Sequence, residues 1–155
     1  MMRAPAFSLL KRPAPMELKG KRVRVLGLGD TGLSVARWVD AQGGTARVAD
    51  SRKEPPRARD LKGEVHTGKF KVSLLKGADL VCISPGLSLE EEVVQTAIAK
   101  GIPVVGDIEL FAWSVRERAL AVTGTNGKST VTALTGHLLR SAGIDGEVAG
   151  NISPP

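Results

Sequence analysis

Several features that specify whole classes of protein are scarce or absent in this 155-residue sequence. It contains one cysteine, so no disulfide can form within the chain. That residue, Cys82, lies in the apolar run Leu80-Val81-Cys82-Ile83, which predicts a small buried hydrophobic side chain rather than a nucleophile or a metal ligand. No apolar run approaches the ~20 residues needed to cross a bilayer, and no secretory signal pattern is present. We therefore expect a cytoplasmic protein without a membrane partner.

Aromatic residues are also scarce, at 3% of the chain, and tyrosine is absent. The formal net charge of +6 would suit contact with nucleic acid. Platforms that stack bases, however, need aromatic side chains interleaved with basic ones, and this sequence has none beside its basic positions. The charge instead indicates a solvated basic face or a surface for phosphorylated small molecules. We expect no nucleic-acid partner.

The hydrophobic pattern predicts an α/β fold. From Met16 onward, short β-branched runs alternate with helical segments, which is typical of a Rossmann-like parallel sheet covered by helices on both faces. Strands are predicted at residues 22–26, 45–50, 64–66, 79–84, 104–105 and 119–122. Helices are predicted from residue 31 to the Gly43-Gly44 pair and at residues 89–100, 108–115 and 130–141.

A first candidate site lies where the predicted strands end. Gly27-Leu28-Gly29-Asp30-Thr31-Gly32 has the G-x-G-x-x-G spacing between a strand and a helix, where glycines allow a phosphate to approach the helix N-terminus. Asp50 closes the second strand, where a ribose hydroxyl would be held, and Ser84-Pro85-Gly86 follows the fourth strand at the same edge. The pattern predicts a nucleotide site without specifying the nucleotide. A tight turn without a ligand remains the alternative.

A second candidate site is the string Thr123-Gly124-Thr125-Asn126-Gly127-Lys128-Ser129-Thr130. Backbone amides in such a loop point at phosphate oxygens, and Lys128 adds a positive charge near the β and γ phosphates. Ser129 or Thr130 offers a hydroxyl to Mg²⁺. The usual phosphate-loop pattern has a glycine five positions before the Gly-Lys pair, and this sequence has Val122 there. The string predicts an ATP site with an unusual spacing.

These motifs resemble those of the Mur ligases. The string from Thr123 to Thr130 is similar to their ATP loop. Gly106-Asp107-Ile108-Glu109-Leu110-Phe111, together with Ser84-Pro85-Gly86, resembles the MurD-type branch, which adds D-glutamate to UDP-N-acetylmuramoyl-L-alanine. The resemblance runs from about Met16 to Ile152. It implies that residues 16–118 form a UDP-substrate-binding domain and that residues 119–155 begin a P-loop ATP-binding domain, after a flexible tail at residues 1–15.

The resemblance also assigns roles to individual residues. It implies that ATP phosphates and Mg²⁺ are held by the phosphate loop, with Lys128 as the catalytic residue and Ser129 and Thr130 as metal ligands. Asp30 departs from the family, where this position is usually apolar, so its carboxylate either turns to solvent or weakens UDP binding. The residues implied to bind the UDP-substrate are Gly27, Gly29, Thr31, Gly32, Asp50, Ser51, Arg52, Ser84, Pro85, Gly86 and Asn151.

In that family, ATP phosphorylates the substrate carboxylate, and the amine of D-glutamate attacks the resulting acyl phosphate. The acidic magnesium ligand, carbamylated lysine and histidine that the family also uses lie beyond this sequence. We therefore expect no turnover by the 155-residue chain alone, and we expect residues 119–155 to be either disordered or buried in a homodimer. Two rivals stay open: an NAD-binding domain that uses the same glycine turn and Asp50, and a non-catalytic binding or regulatory fragment.

Overall fold

The computed structural model describes residues 15–115 and 117–150 of the chain. The chain divides into two compact units, Met1–Ser114 and Val115–Pro155, which are described separately. Of the tail predicted at residues 1–15, residues 1–14 lie outside the described residues. Asn151 also lies outside them. Within the described ranges, no helix has the length and apolarity that a membrane span requires.

The first unit is built on a parallel sheet of five strands. They are β1 (Arg22–Leu26), β2 (Thr45–Asp50), β3 (Val65–Thr67), β4 (Leu80–Ile83) and β5 (Val104–Val105). Their order across the sheet is β3-β2-β1-β4-β5, and every neighbouring pair is parallel. The chain therefore moves outward from β1 to β3 and returns to the other side of β1 at β4.

Helices cover both faces of this sheet. The first unit contains α1 (Asp30–Ala41), α2 (Glu92–Ala99) and α3 (Asp107–Ser114), with 3₁₀ helices at Ala58–Asp60 and Val72–Leu75. Because strand side chains alternate between faces, Val23 and Val25 of β1 join a core with α1 and α3, whereas Leu26 joins a second core with α2. Cys82 is buried in the first core, and burial raises the pKa of its thiol to about 12.

The predicted α/β class and parallel sheet are confirmed. The bounds of β1 match the prediction, and the first helix begins at Asp30, one residue earlier than predicted. The strand predicted at residues 119–122 was wrong, because this segment has no regular secondary structure. An apolar run becomes a strand only when another strand takes its backbone hydrogen bonds, and no strand of the described residues pairs with it. Among the described residues of the second unit, one helix is present, α4 (Lys128–Ser141).

Candidate functional site

The loops that follow β1, β2 and β4 open into one cleft of about 340 Å³. The cleft lies at the carboxyl edge of the sheet, beside the point between β1 and β4 where the direction of winding reverses. Doubly wound sheets bind their ligands at such switch points, because the loops on either side diverge and leave a crevice. The cleft is lined by Gly27, Gly29, Asp30, Thr31, Asp50, Ser51, Arg52, Phe70, Ser84, Gly86 and Leu87.

The turn between β1 and α1 is packed too closely for side chains at two positions. Gly27 has a φ of +98°, and a Cβ there would lie 2.6 Å from the Oγ of Ser84. A Cβ on Gly32 would lie 1.9 Å from the carbonyl oxygen of Gly27. The hydroxyl of Ser84 donates to that same carbonyl at 3.3 Å. The glycines therefore let the first turn of α1 approach the end of β1, with the β4 loop packed against both.

Asp50 connects the glycine turn to the loop after β2. Its Oδ2 accepts hydrogen bonds from the backbone N–H of Leu28 at 2.6 Å and from Nη2 of Arg52 at 2.6 Å. Its Oδ1 accepts from the backbone N–H and the Nε of Arg52, both at 2.8 Å. Four bonds fill the roughly four lone-pair positions of a carboxylate. A ribose hydroxyl would therefore have to replace one of these protein donors.

The hydrogen bonds and the burial of Asp50 shift its pKa in opposite directions. The side chain is 2% exposed, and burial alone would raise the pKa. The hydrogen bonds from the Arg52 side chain, together with those from the backbone N–H groups of Leu28 and Arg52, outweigh that effect and lower the pKa to about 2. Asp50 is thus a carboxylate at neutral pH, and Arg52 supplies its counter-charge inside the cleft.

Asp30 does not reach into the cleft as an unpaired carboxylate. It is the first residue of α1, and its Oδ1 accepts a hydrogen bond at 2.5 Å from the Nε of Arg57, in the loop between β2 and β3. The side chain is 63% exposed and so contacts solvent, but Asp30 still lines the cleft, and its effect on UDP binding stays a prediction. The sequence pattern held no signal that Arg57 would be its partner.

The cleft brings together most of the residues predicted to bind the UDP-substrate. Gly32 and Pro85 do not line it; Gly32 acts through the close packing of the turn, and Pro85 is exposed. Sequence reasoning missed Phe70 and Leu87 as lining residues. Phe70, which follows β3, is 5% exposed. The available signal for it was the presence of a phenylalanine, one of three in the chain, shortly after a predicted strand.

The predicted ATP loop forms the turn that leads into α4 of the second unit. Gly127, with a φ of +74°, precedes the helix, which begins at Lys128. The Nζ of Lys128 donates to the carbonyl oxygens of Gly124 at 2.7 Å and Thr125 at 3.4 Å. The first turn of α4 carries no acidic residue, so the positive end of the helix dipole is not neutralised by its own side chains. This arrangement suits a bound anion.

A divalent cation has few candidate ligands in the described part of the chain. Residues 15–115 and 117–150 contain no group of three or more His, Cys, Asp or Glu side chains placed to hold a metal. The hydroxyls of Ser129 and Thr130, both exposed in the first turn of α4, are oxygen ligands of the type that Mg²⁺ accepts. They fit a Mg²⁺ that keeps phosphate oxygens and water as its other ligands.

Comparison with known proteins agrees with this arrangement of loops. A family model described as the N-terminal domain of MurD-like Mur ligases matches residues 21–106. The chain belongs to this MurD-like family. The matched residues extend from the start of β1 past β5 and thus contain the whole sheet and all three loops of the cleft.

Curated relatives of this MurD-like chain share its sequence over most of its length. It is 50% identical over 150 residues to the UDP-N-acetylmuramoylalanine–D-glutamate ligase of Nitrosospira multiformis, and 48% identical over 147 residues to the enzyme of that name from Methylobacillus flagellatus. Each match covers 90% of this chain and 32% of the relative. The chain therefore spans about a third of the length of these relatives.

Solved Mur ligases share the fold. The UDP-N-acetylmuramate:L-alanyl-gamma-D-glutamyl-meso-diaminopimelate ligase of Neisseria meningitides matches 79% of this chain and 40% of its own, with a TM-score of 0.57 and 23% identity. The UDP-N-acetylmuramate-alanine ligase MurC of Thermotoga maritima matches 78% of this chain and 29% of its own, with a TM-score of 0.51 and 21% identity.

We expect Gly32→Ala to disrupt the glycine turn of this MurD-like domain, because the new Cβ would meet the carbonyl of Gly27. The free energy of unfolding, measured by urea denaturation, should fall by about 3 kcal/mol. Gly29→Ala is the matched control, since a Cβ there meets nothing within 4 Å. It should cost no more than about 1 kcal/mol as a change of N-cap residue. Equal losses in the two variants would contradict the packing described.

We expect the lowered pKa of Asp50 to make stability depend on pH. A folded pKa of about 2 against an ordinary 3.8 means that stability is fully present above about pH 5 and is lost as the pH falls from 3.8 through 2. The total loss in the free energy of unfolding amounts to about 2 kcal/mol. It is measured by urea denaturation at a series of pH values.

Arg52→Met should raise the pKa of Asp50 and should reduce this acid-dependent loss of stability. The pKa is measured by NMR of the Asp50 carboxyl carbon. Lys53→Met, which removes the same charge from the next, exposed position, serves as the control. An Asp50 pKa that is the same in both variants would show that the Arg52 guanidinium does not hold it down.

Proposed function

We propose that this chain is the nucleotide-substrate-binding front part of a peptidoglycan ligase that joins D-glutamate to UDP-N-acetylmuramoyl-L-alanine. The observation that carries the proposal is the single cleft formed by the glycine turn, the Asp50-Ser51-Arg52 corner and the Ser84-Pro85-Gly86 loop. Its support comes from membership of the MurD-like family and from relatives that carry that enzyme name. Because the chain spans 32% of these relatives, the activity itself is assigned to the longer protein.

Within the cleft, the diphosphate of the UDP-substrate is assigned to the glycine turn. Gly27, Gly29 and Thr31 line the cleft at the N-terminus of α1, where backbone N–H groups and the helix dipole favour a phosphate. The uridine is assigned to the corner after β2. There Asp50 orients Arg52 through its bonds to that side chain, and the half-exposed guanidinium faces the cleft. Asn151, outside the described residues, remains a proposed contact of the substrate.

ATP and Mg²⁺ are assigned to the loop from Thr123 to Thr130. When bound, ATP supplies the phosphoryl group that activates the substrate carboxylate as an acyl phosphate for attack by the amine of D-glutamate. The chain's own contribution is positioning and charge: Lys128 neutralises transferring phosphoryl oxygens, and Ser129 and Thr130 offer hydroxyls to the metal. For this, the Nζ of Lys128 exchanges its present carbonyl partners at Gly124 and Thr125 for phosphate oxygens.

The first test of this proposal is the choice of nucleotide. By isothermal titration calorimetry of the 155-residue chain, UDP-N-acetylmuramoyl-L-alanine should bind and NAD should not. The reason is that an NAD site requires an acidic side chain that binds the ribose hydroxyls directly, whereas Asp50 already accepts four hydrogen bonds from the protein. The proposed uridine site does not depend on a free Asp50 oxygen, because there the half-exposed Arg52 meets the ligand. Tighter binding of NAD than of the UDP-substrate would replace this proposal with that of a dinucleotide-binding domain.

The second test addresses the ATP loop. In ¹⁵N NMR spectra, titration with MgATP should shift the backbone amide resonances of residues 124–130. Lys128→Met should weaken that binding by about tenfold or more, because one charge near the phosphates is lost. Arg140→Met, in the last turn of the same helix, is the control and should leave the affinity unchanged. Amide resonances of the loop that do not move at saturating MgATP would contradict the assignment.

A further inference from the structure

An acidic residue stands at the position where an anion is expected to bind. Asp30 is the first residue of α1 and lines the cleft between Gly29 and Thr31. The N-terminus of a helix attracts one negative group strongly, and a carboxylate there both occupies that field and repels a phosphate nearby. A diphosphate bound at this turn would therefore experience the charge of Asp30 unless another residue neutralises it.

Arg57 supplies the opposite charge. Its Nε donates to Oδ1 of Asp30 at 2.5 Å, and its Nη1 donates to Oδ2 of Asp60 at 3.2 Å. Arg57 does not itself line the cleft. The guanidinium is thus placed on the outer side of Asp30, where it can neutralise that carboxylate without occupying the space of a ligand.

The position of Arg57 is fixed by the segment that carries it. Arg57 immediately precedes the 3₁₀ helix Ala58–Asp60, and the carbonyl of Asp60 accepts a hydrogen bond at 3.1 Å from Nη2 of Arg37 on α1. Ala58 and Leu61 pack against the first core. The short helix is therefore attached to α1 through Arg37 as well as through Arg57, and the guanidinium is held beside Asp30 before any ligand arrives.

The pair of Asp30 and Arg57 contributes little to the stability of the fold. Their side chains are 63% and 46% exposed, and ion pairs at exposed positions are screened by water and salt. Substitutions here should consequently leave the chain folded, so their effect on ligand binding can be measured directly.

Building on the proposed nucleotide function, we propose that Arg57 is a specificity-determining residue for the diphosphate: as the counter-ion of Asp30, it prevents that carboxylate from repelling the ligand. Arg57 acts through Asp30 and does not bind the phosphates itself. The two roles at the turn are therefore separate. The backbone of Gly27 and Gly29 provides the phosphate site, and the loop after β2 sets the local charge.

The experiment is a double-mutant cycle with uridine diphosphate as the probe and uridine as the uncharged reference, measured by calorimetry at low and high salt. Arg57→Met should weaken binding of uridine diphosphate by about three- to tenfold at low salt, because an uncompensated charge then lies near the phosphates. Asp30→Asn should not weaken it. The double variant should bind as tightly as Asp30→Asn alone, which shows that Arg57 matters only while Asp30 is charged.

Two further measurements complete the cycle. Binding of uridine should be equal in all four proteins, and the effect of Arg57→Met should shrink at high salt. Arg59→Met removes one positive charge from the short helix that follows Arg57, without touching the pair with Asp30, and it should leave the affinity unchanged.

The outcomes separate this inference from the proposed function. If Arg57→Met weakens binding equally in the Asp30→Asn background, Arg57 contacts the ligand directly and the counter-ion role is overturned. If wild type binds uridine diphosphate and Arg57→Met changes nothing, the inference alone is overturned. If wild type does not bind uridine diphosphate at all, the proposed function and the inference both fail.

Discussion

The carboxyl edge of the sheet depends on one buried carboxylate, Asp50. It ends β2, accepts a hydrogen bond from the backbone of Leu28 in the glycine turn, and fixes the side chain of Arg52 in the next loop. A buried charge is costly unless it is fully hydrogen-bonded, and here each oxygen has two donors. The same four bonds keep the group ionised and hold two cleft loops in fixed positions.

Much of this fold could be predicted from sequence because its signals are local. The strand β1 is recognised by its β-branched Val23 and Val25, followed by Leu26. The turn after it needs glycines where a Cβ cannot fit, so Gly27 and Gly32 can be predicted without a structure. The positions of Asp50 and Ser84 at strand ends follow from the parallel order of the strands. These residues therefore meet at one edge, as the pattern predicts, although their roles toward a ligand stay predictions.

What the sequence could not provide were partners distant along the chain. Arg24 falls in a buried strand where a charge is unexpected; the structure explains it by bonds from Nε and Nη2 to the carbonyls of Leu74 and Lys76. No local pattern encodes such a pairing. Asp30 and Arg57 are likewise 27 positions apart. The wrong strand at residues 119–122 has the same origin, since pairing depends on a neighbour that periodicity cannot supply.

The two proposed phosphate sites differ in how they are charged, and that difference matches the ligands proposed for them. The N-terminus of α1 begins with Asp30, whose charge is balanced by Arg57, so this pair adds no net positive charge to the helix end. The N-terminus of α4 begins with Lys128 and has no acidic residue in its first turn. A triphosphate carries more charge than the diphosphate of a UDP-sugar, and the more positive loop suits it better. In the proposed assignment, local charge thus adds to a difference in backbone geometry, since the residue before α1, Gly29, is extended and the residue before α4, Gly127, is left-handed.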